Sequence, residues 1–130
     1  MYKMDVRIAI VDTDIFGRAH FTSFFRYIDM ASGSFFETVG IDPARLRNMP
    51  VVEACCSYKA PVGLHDVLEV RATLVELREK SLKLLYRFYK KSDGFLVAEG
   101  YQILVAIDDK GRAVKIPDDV REILSKVMGK

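Results

Sequence analysis

The chain has 130 residues, half of them hydrophobic and 29% charged, a composition that supports one folded domain (residues 1–130) with a substantial core. A net charge of +2 without a basic tract argues against nucleic acid as a partner, and no run approaches the ~20 apolar residues that a membrane-spanning helix needs. The N-terminus carries no signal-peptide pattern, so a cytoplasmic location without membrane insertion is expected.

Met4 to Val11 alternates, with Met4, Val6, Ile8 and Ile10 opposed to Asp5, Arg7 and Ala9, and predicts a strand with one dry face. It runs into Asp12, Thr13 and Asp14, then a loop with Gly17 and His20. From there Phe21, Phe24, Phe25, Ile28, Ala31, Phe35, Phe36 and Val39 recur at steps of three and four, the spacing of one helical face. Thr22 or Ser23 is positioned to cap the helix start, and Gly40 to end it. Asp42 and Pro43 read as cap and first turn of a short helix through Arg47.

Four strands are expected next: Val51 to Ala60, Asp66 to Leu77, Leu82 to Lys90 and Phe95 to Ile107. The turns at 78–80 and 92–94 are short and polar, so the last three should form an antiparallel meander. Phe95 to Ile107 is apolar on both faces, as a central or interface strand would be, and Gly100 within it signals a bulge or a close backbone approach. After a turn at 108–111, Pro117 opens a terminal helix with Val120, Ile123, Leu124 and Val127 on one face. Cys55 and Cys56 are adjacent, which strains any bridge between them, and they read as small core or interface residues. With only His20 and His65 besides, no metal-ligand spacing exists and no metal site is expected. The order gives an α+β domain: one antiparallel sheet of about five strands, curved around one long central helix, plus a C-terminal helix.

The residues Asp12-Thr13-Asp14 with Gly17, His20-Phe21, Ser23-Phe24 and the aromatic helix that follows resemble the signature of hotdog-fold acyl-CoA thioesterases. The type is that of 4-hydroxybenzoyl-CoA thioesterase and its Tol–Pal-associated relatives. The similarity continues through Ala60-Pro61, the 66–70 segment and Lys115 to Pro117, and so spans nearly the whole chain.

That resemblance implies hydrolysis of an acyl-CoA thioester to a free acid and coenzyme A, with no cofactor beyond the coenzyme A of the substrate. It implies Asp14 as the catalytic carboxylate, acting as nucleophile or as activator of water. It also implies the backbone N–H of Phe21 as donor to the thioester oxygen, with Gly17 letting the loop come close; the negative charge that builds there is stabilised by free amides at a helix start. His20 departs from the Tol–Pal pattern, in which the histidine follows an aromatic residue, and both a direct and a positioning role stay open. Arg18 stands where relatives carry an apolar residue. For substrate binding, Phe24 is a candidate pocket wall, and Lys59, Lys80 and Ser81 are candidates for the coenzyme A phosphates. The family's sites lie between subunits, so a homodimer or homotetramer is expected. Two other classes remain: a non-catalytic acyl-CoA-binding or sensing module, and a hotdog hydratase or dehydratase.

Overall fold

In a computed structural model that describes residues 1–130, strand β1 spans Tyr2–Arg7, helix α1 Ser23–Thr38, β2 Val51–Tyr58, β3 Val67–Leu77, β4 Ser81–Lys90, β5 Leu96–Val105 and helix α2 Asp118–Ser125. Two 3-10 segments, Ile10–Asp12 and Pro43–Asn48, flank α1. The strands form one sheet in the order β1-β3-β4-β5-β2, every pair antiparallel. This is the α+β hotdog arrangement expected from the sequence.

The strict alternation in β3 and β4 turns Leu68, Val70, Ala72, Leu74, Leu82, Leu84, Tyr86 and Phe88 to one face, where all are buried. Helix α1 lies against that face with Phe24, Tyr27, Ile28, Ala31, Ser32, Phe35 and Phe36 buried. Two members of the expected stripe fall outside it. Phe21 precedes the first helical residue and is 59% exposed, whereas Phe25 sits on the flank at 37%. Tyr27 takes the place in the stripe that the phenylalanine spacing suggested for its neighbour.

The helix start also differs from expectation. Thr22 occupies the N-cap in a helical conformation, and its hydroxyl turns to His20 instead of a first-turn amide. Ser23 sends its hydroxyl back to the Asp12 carbonyl. The helix end matches. Gly40 adopts φ +93°, its N–H donates to the Glu37 carbonyl, and the Ile41 N–H donates to the Phe36 carbonyl, satisfying carbonyls that the helix itself leaves open.

Strand β1 stops four residues short of the expected end. Val6 and Ile8 are buried as predicted, but Ile10 and Val11 are 74% and 82% exposed in a 3-10 turn. The cause is the Asp12 carboxylate, which accepts the Ala9 N–H and folds the chain back on itself.

Strand β5 has neighbours on both sides, and Gly100 lets them close up. A Cβ at that position would lie 2.5 Å from the Cys55 carbonyl oxygen and 3.2 Å from Ile28 Cδ1. Nearby, the buried Tyr86 hydroxyl donates to Gln102 Oε1 at 2.7 Å, joining β4 to β5 inside the core. Strand β2 forms a sheet edge, with seven of its eight residues exposed; Cys55 and the half-buried Cys56 are both free thiols there.

Candidate active site

Asp14 heads a turn wound around its own carboxylate. Its N–H donates to the Arg18 carbonyl at 2.8 Å, and its carbonyl accepts from the Gly17 N–H at 3.1 Å. Asp14 Oδ1 accepts from the amides of Phe16 (2.8 Å) and Arg18 (3.1 Å). Aspartate is favoured in such turns because its short side chain reaches main-chain amides two to four residues ahead. Gly17 closes the turn at φ +76°, a conformation that strains any residue with a Cβ. Oδ2 accepts nothing from the protein.

The turn is fastened to the segment before β3. Arg18 pairs with Gly63, the Ala19 N–H donates to the Val62 carbonyl at 2.8 Å, and the Leu64 N–H donates to the Gly17 carbonyl at 3.2 Å. A Cβ on Gly63 would lie 2.8 Å from the Gly17 oxygen, so this close approach needs glycine. Sequence reasoning passed over Gly63 because its partner lies 46 residues earlier.

The chain then returns to α1 past Asp12, whose side chain is 2% exposed. Burial pushes the Asp12 carboxyl up, but the Ala9 amide and the paired Arg26 guanidinium outweigh it and hold the group below the ordinary aspartate value. The Asp12 carbonyl accepts from the His20 N–H (2.7 Å) and the Ser23 hydroxyl (2.9 Å). Beside the carboxylate, the Tyr27 hydroxyl is enclosed and makes no hydrogen bond of normal geometry; burial and the Asp12 charge both push its phenol up.

Phe21 follows. Its N–H donates to no acceptor in the protein, while its carbonyl accepts from the Tyr58 hydroxyl at 2.6 Å. Burial and the neighbouring Cys56 push the Tyr58 phenol up to about 12, so it remains a donor at physiological pH. Tyr58 was missed in the sequence because nothing local ties the end of β2 to the start of α1.

Asp14, Arg18, Phe21, Phe24, Tyr58 and Lys59 line one cleft of about 410 Å³, with Ala60 to Val62 along its side. The buried Phe24 ring forms the floor, edge-on to Tyr58 and Phe88 with ring centres 5.2 Å away in both cases. Arg18 and Lys59 put two cations at this cleft, and the Arg18 guanidinium lies 5.9 Å from the Phe16 ring centre. Four of the sequence candidates, Asp14, Phe21, Phe24 and Lys59, therefore meet here, with Gly17 in the turn behind them.

His20 is not among the lining residues. Its Nδ1 lies 2.7 Å from the Thr22 hydroxyl and accepts the Thr22 N–H at 3.3 Å, and its ring stacks on Phe21 at 4.6 Å. Lys80 and Ser81 do not reach the cleft of their own chain. Lys80 sits in the β3–β4 turn and Ser81 opens β4 opposite Val105, seven residues along β5 from the Ala98 that faces Tyr58. That separation is about 23 Å. No three His, Cys, Asp or Glu side chains converge in a way that would hold a metal.

Comparison with known proteins identifies the family and the fold. Residues 8–124 match the Thioesterase-like superfamily. The chain is 27% identical to the 4-hydroxybenzoyl-CoA thioesterase of Pseudomonas sp. (strain CBS-3), covering 94% of this chain and 96% of that protein. Among solved structures it resembles the Thermus thermophilus protein TT1821 (29% identity, TM-score 0.87, covering 96% and 98% of the two chains). It also resembles a gentisyl-coenzyme A thioesterase (28% identity, TM-score 0.81, covering 93% and 98%). The protein thus belongs to the Thioesterase-like superfamily, as a hotdog-fold thioester hydrolase.

Proposed function

We propose that the protein hydrolyses acyl-CoA thioesters, with Asp14 as the reacting carboxylate and the Phe21 N–H as the oxyanion donor. One observation carries the reading: an aspartate with an open oxygen and a main-chain amide with no protein acceptor share a single cleft. A thioester carbonyl held between them would meet Asp14, or a water activated by it, from one side and the amide from the other. The tetrahedral charge then falls on a donor already in place, a contribution of about 3–4 kcal/mol for such groups. The thiolate of coenzyme A departs, and its phosphates find Lys59 and Arg18 at the cleft. Phe24, Phe21 and Tyr58 offer aromatic walls to the acyl group, in keeping with the aromatic acyl groups named for the 4-hydroxybenzoyl and gentisyl relatives.

The working unit is a homodimer, which can pair into a tetramer. Strand β2 leaves a row of main-chain groups unpaired at the sheet edge and exposes Val51, Val52 and Tyr58. An antiparallel two-fold across this edge would bring the Val51 end of one chain to the Tyr58 end of the other. Lys80 and Ser81 would then contribute to binding at the partner's cleft.

The test is thiol release over a panel of short, long and aromatic acyl-CoAs, with Asp14→Asn in parallel. Turnover lost with binding kept supports the enzyme; ligand binding without turnover in the unaltered protein means a sensor instead. Burst kinetics and acyl transfer to hydroxylamine distinguish a nucleophilic Asp14 from a general base. Light scattering that gives the mass of one chain under native conditions would refute the dimer.

A further inference from the structure

Two carboxylates stand two residues apart, yet their surroundings are opposite. Asp14 opens on the cleft, whereas Asp12 is shut away and makes its polar contacts to residues on both sides of the loop that carries the site. Its carboxylate holds the Ala9 N–H and the Arg26 guanidinium, and so ties the exit of β1 to the first turn of α1. Its carbonyl holds the His20 N–H and the Ser23 hydroxyl. The peptide that ends in the free Phe21 amide is therefore gripped on both sides, at His20 N by Asp12 and at the Phe21 carbonyl by Tyr58.

We infer that Asp12 is the positioning residue of the site, aiming the Phe21 N–H and the Asp14 carboxylate at a common point while never touching the substrate. The inference rests on the roles of Asp14 and Phe21 given above. A catalytic step is sensitive to such aim, since misplacement of the order of 1 Å at a reacting group costs about 10²-fold in rate. The enclosed Tyr27 hydroxyl lies beside the same carboxylate, and burial together with that charge pushes its phenol up. Arg26 is itself half-exposed, with its guanidinium 5.3 Å from the Tyr27 ring centre, and it stands outside the cleft.

The experiment compares Asp12→Asn, Arg26→Met and Arg26→Lys with the unaltered protein in two readouts. In thioester hydrolysis, Asp12→Asn and Arg26→Met should lower kcat by about 10- to 10²-fold with KM within twofold, and Arg26→Lys should recover part of the loss. In amide hydrogen exchange, His20, Phe16 and Arg18 should exchange faster in Asp12→Asn while the amides of β4 keep their protection. Unchanged kcat, a kcat loss matched by a general loss of protection, or unchanged exchange at His20 would each overturn the inference. Should the unaltered protein release no thiol from any acyl-CoA, the catalytic reading falls, and the exchange result alone decides whether Asp12 clasps the loop.

Discussion

The two ends of the sheet are closed by different means. At the end carrying Lys80, charged side chains do the fastening: Arg45 forks onto Asp119, Arg121 donates to the carbonyls of Arg78 and Glu79, and Lys115 lies 3.6 Å from Glu79. Helix α2 buries Val120 and Leu124 over that end. At the Asp14 end main-chain pairing of the loops 13–19 and 62–64 is added to the ion pairs Asp12–Arg26, Asp5–Lys91 and Asp66–Lys90. Apolar side chains there face solvent, with Ile15 92% and Phe16 73% exposed, and the Phe21 N–H has no acceptor. The Asp14 end thus keeps a main-chain donor in reserve. Reserve of this kind is what a ligand needs, because a donor already bonded within the protein gains little from a substrate.

Substitutions at each end sharpen that contrast. The largest effect belongs to Asp14→Asn, which should lower thioester hydrolysis by about 10²–10⁴-fold while the melting temperature is retained, as kinetics and calorimetry will show. Leu124→Ala at the other end should do the reverse, costing about 2–5 kcal/mol in denaturant unfolding with kcat per folded molecule intact. Next comes acid. Asp12 sits below its ordinary value of 3.8 in the folded state, so its contribution is present above that pH and is lost as pH falls through the folded value. Asp12→Asn should therefore flatten the loss of stability in melts between pH 5 and pH 2. Asp119 is shifted in the same direction by Arg45 but lies in solvent, and Asp119→Asn should leave that profile nearly unchanged. Smallest of all, Arg45→Ala should leave the melting midpoint within experimental error.

The sequence made the sheet legible wherever one face of a strand is wet. β3 alternates through Leu74, where a bulge interrupts it, and β4 through Phe88, and the pattern is what burial enforces. It made the helix legible too, but assigned Phe21 and Phe25 to the core and passed over Tyr27, since composition favours phenylalanine and only the helix's rotation decides. The β1 exit was misread because Ile10 and Val11 continue an apolar run, while the turn there is dictated by one hydrogen bond from Ala9 to Asp12. In the site, Asp14 and the start of α1 were visible as a local motif. Tyr58 and Gly63 were not, because each acts on a residue about 40 positions away. The distance of Lys80 from the cleft of its own chain was not legible either, since charge and sequence neighbours do not report which end of a sheet a turn occupies.

The buried bond between Tyr86 and Gln102 reaches beyond packing. Alternation alone cannot tell the correct pairing of β4 and β5 from one displaced by two residues, because both keep every apolar side chain inside. A two-residue displacement that sets Tyr86 opposite Ala98 would part the phenol and the amide by about 7 Å and strand two polar groups in hydrocarbon. The pair thus serves as a proofreading mark during folding: it penalises the misalignment to which hydrophobicity is blind.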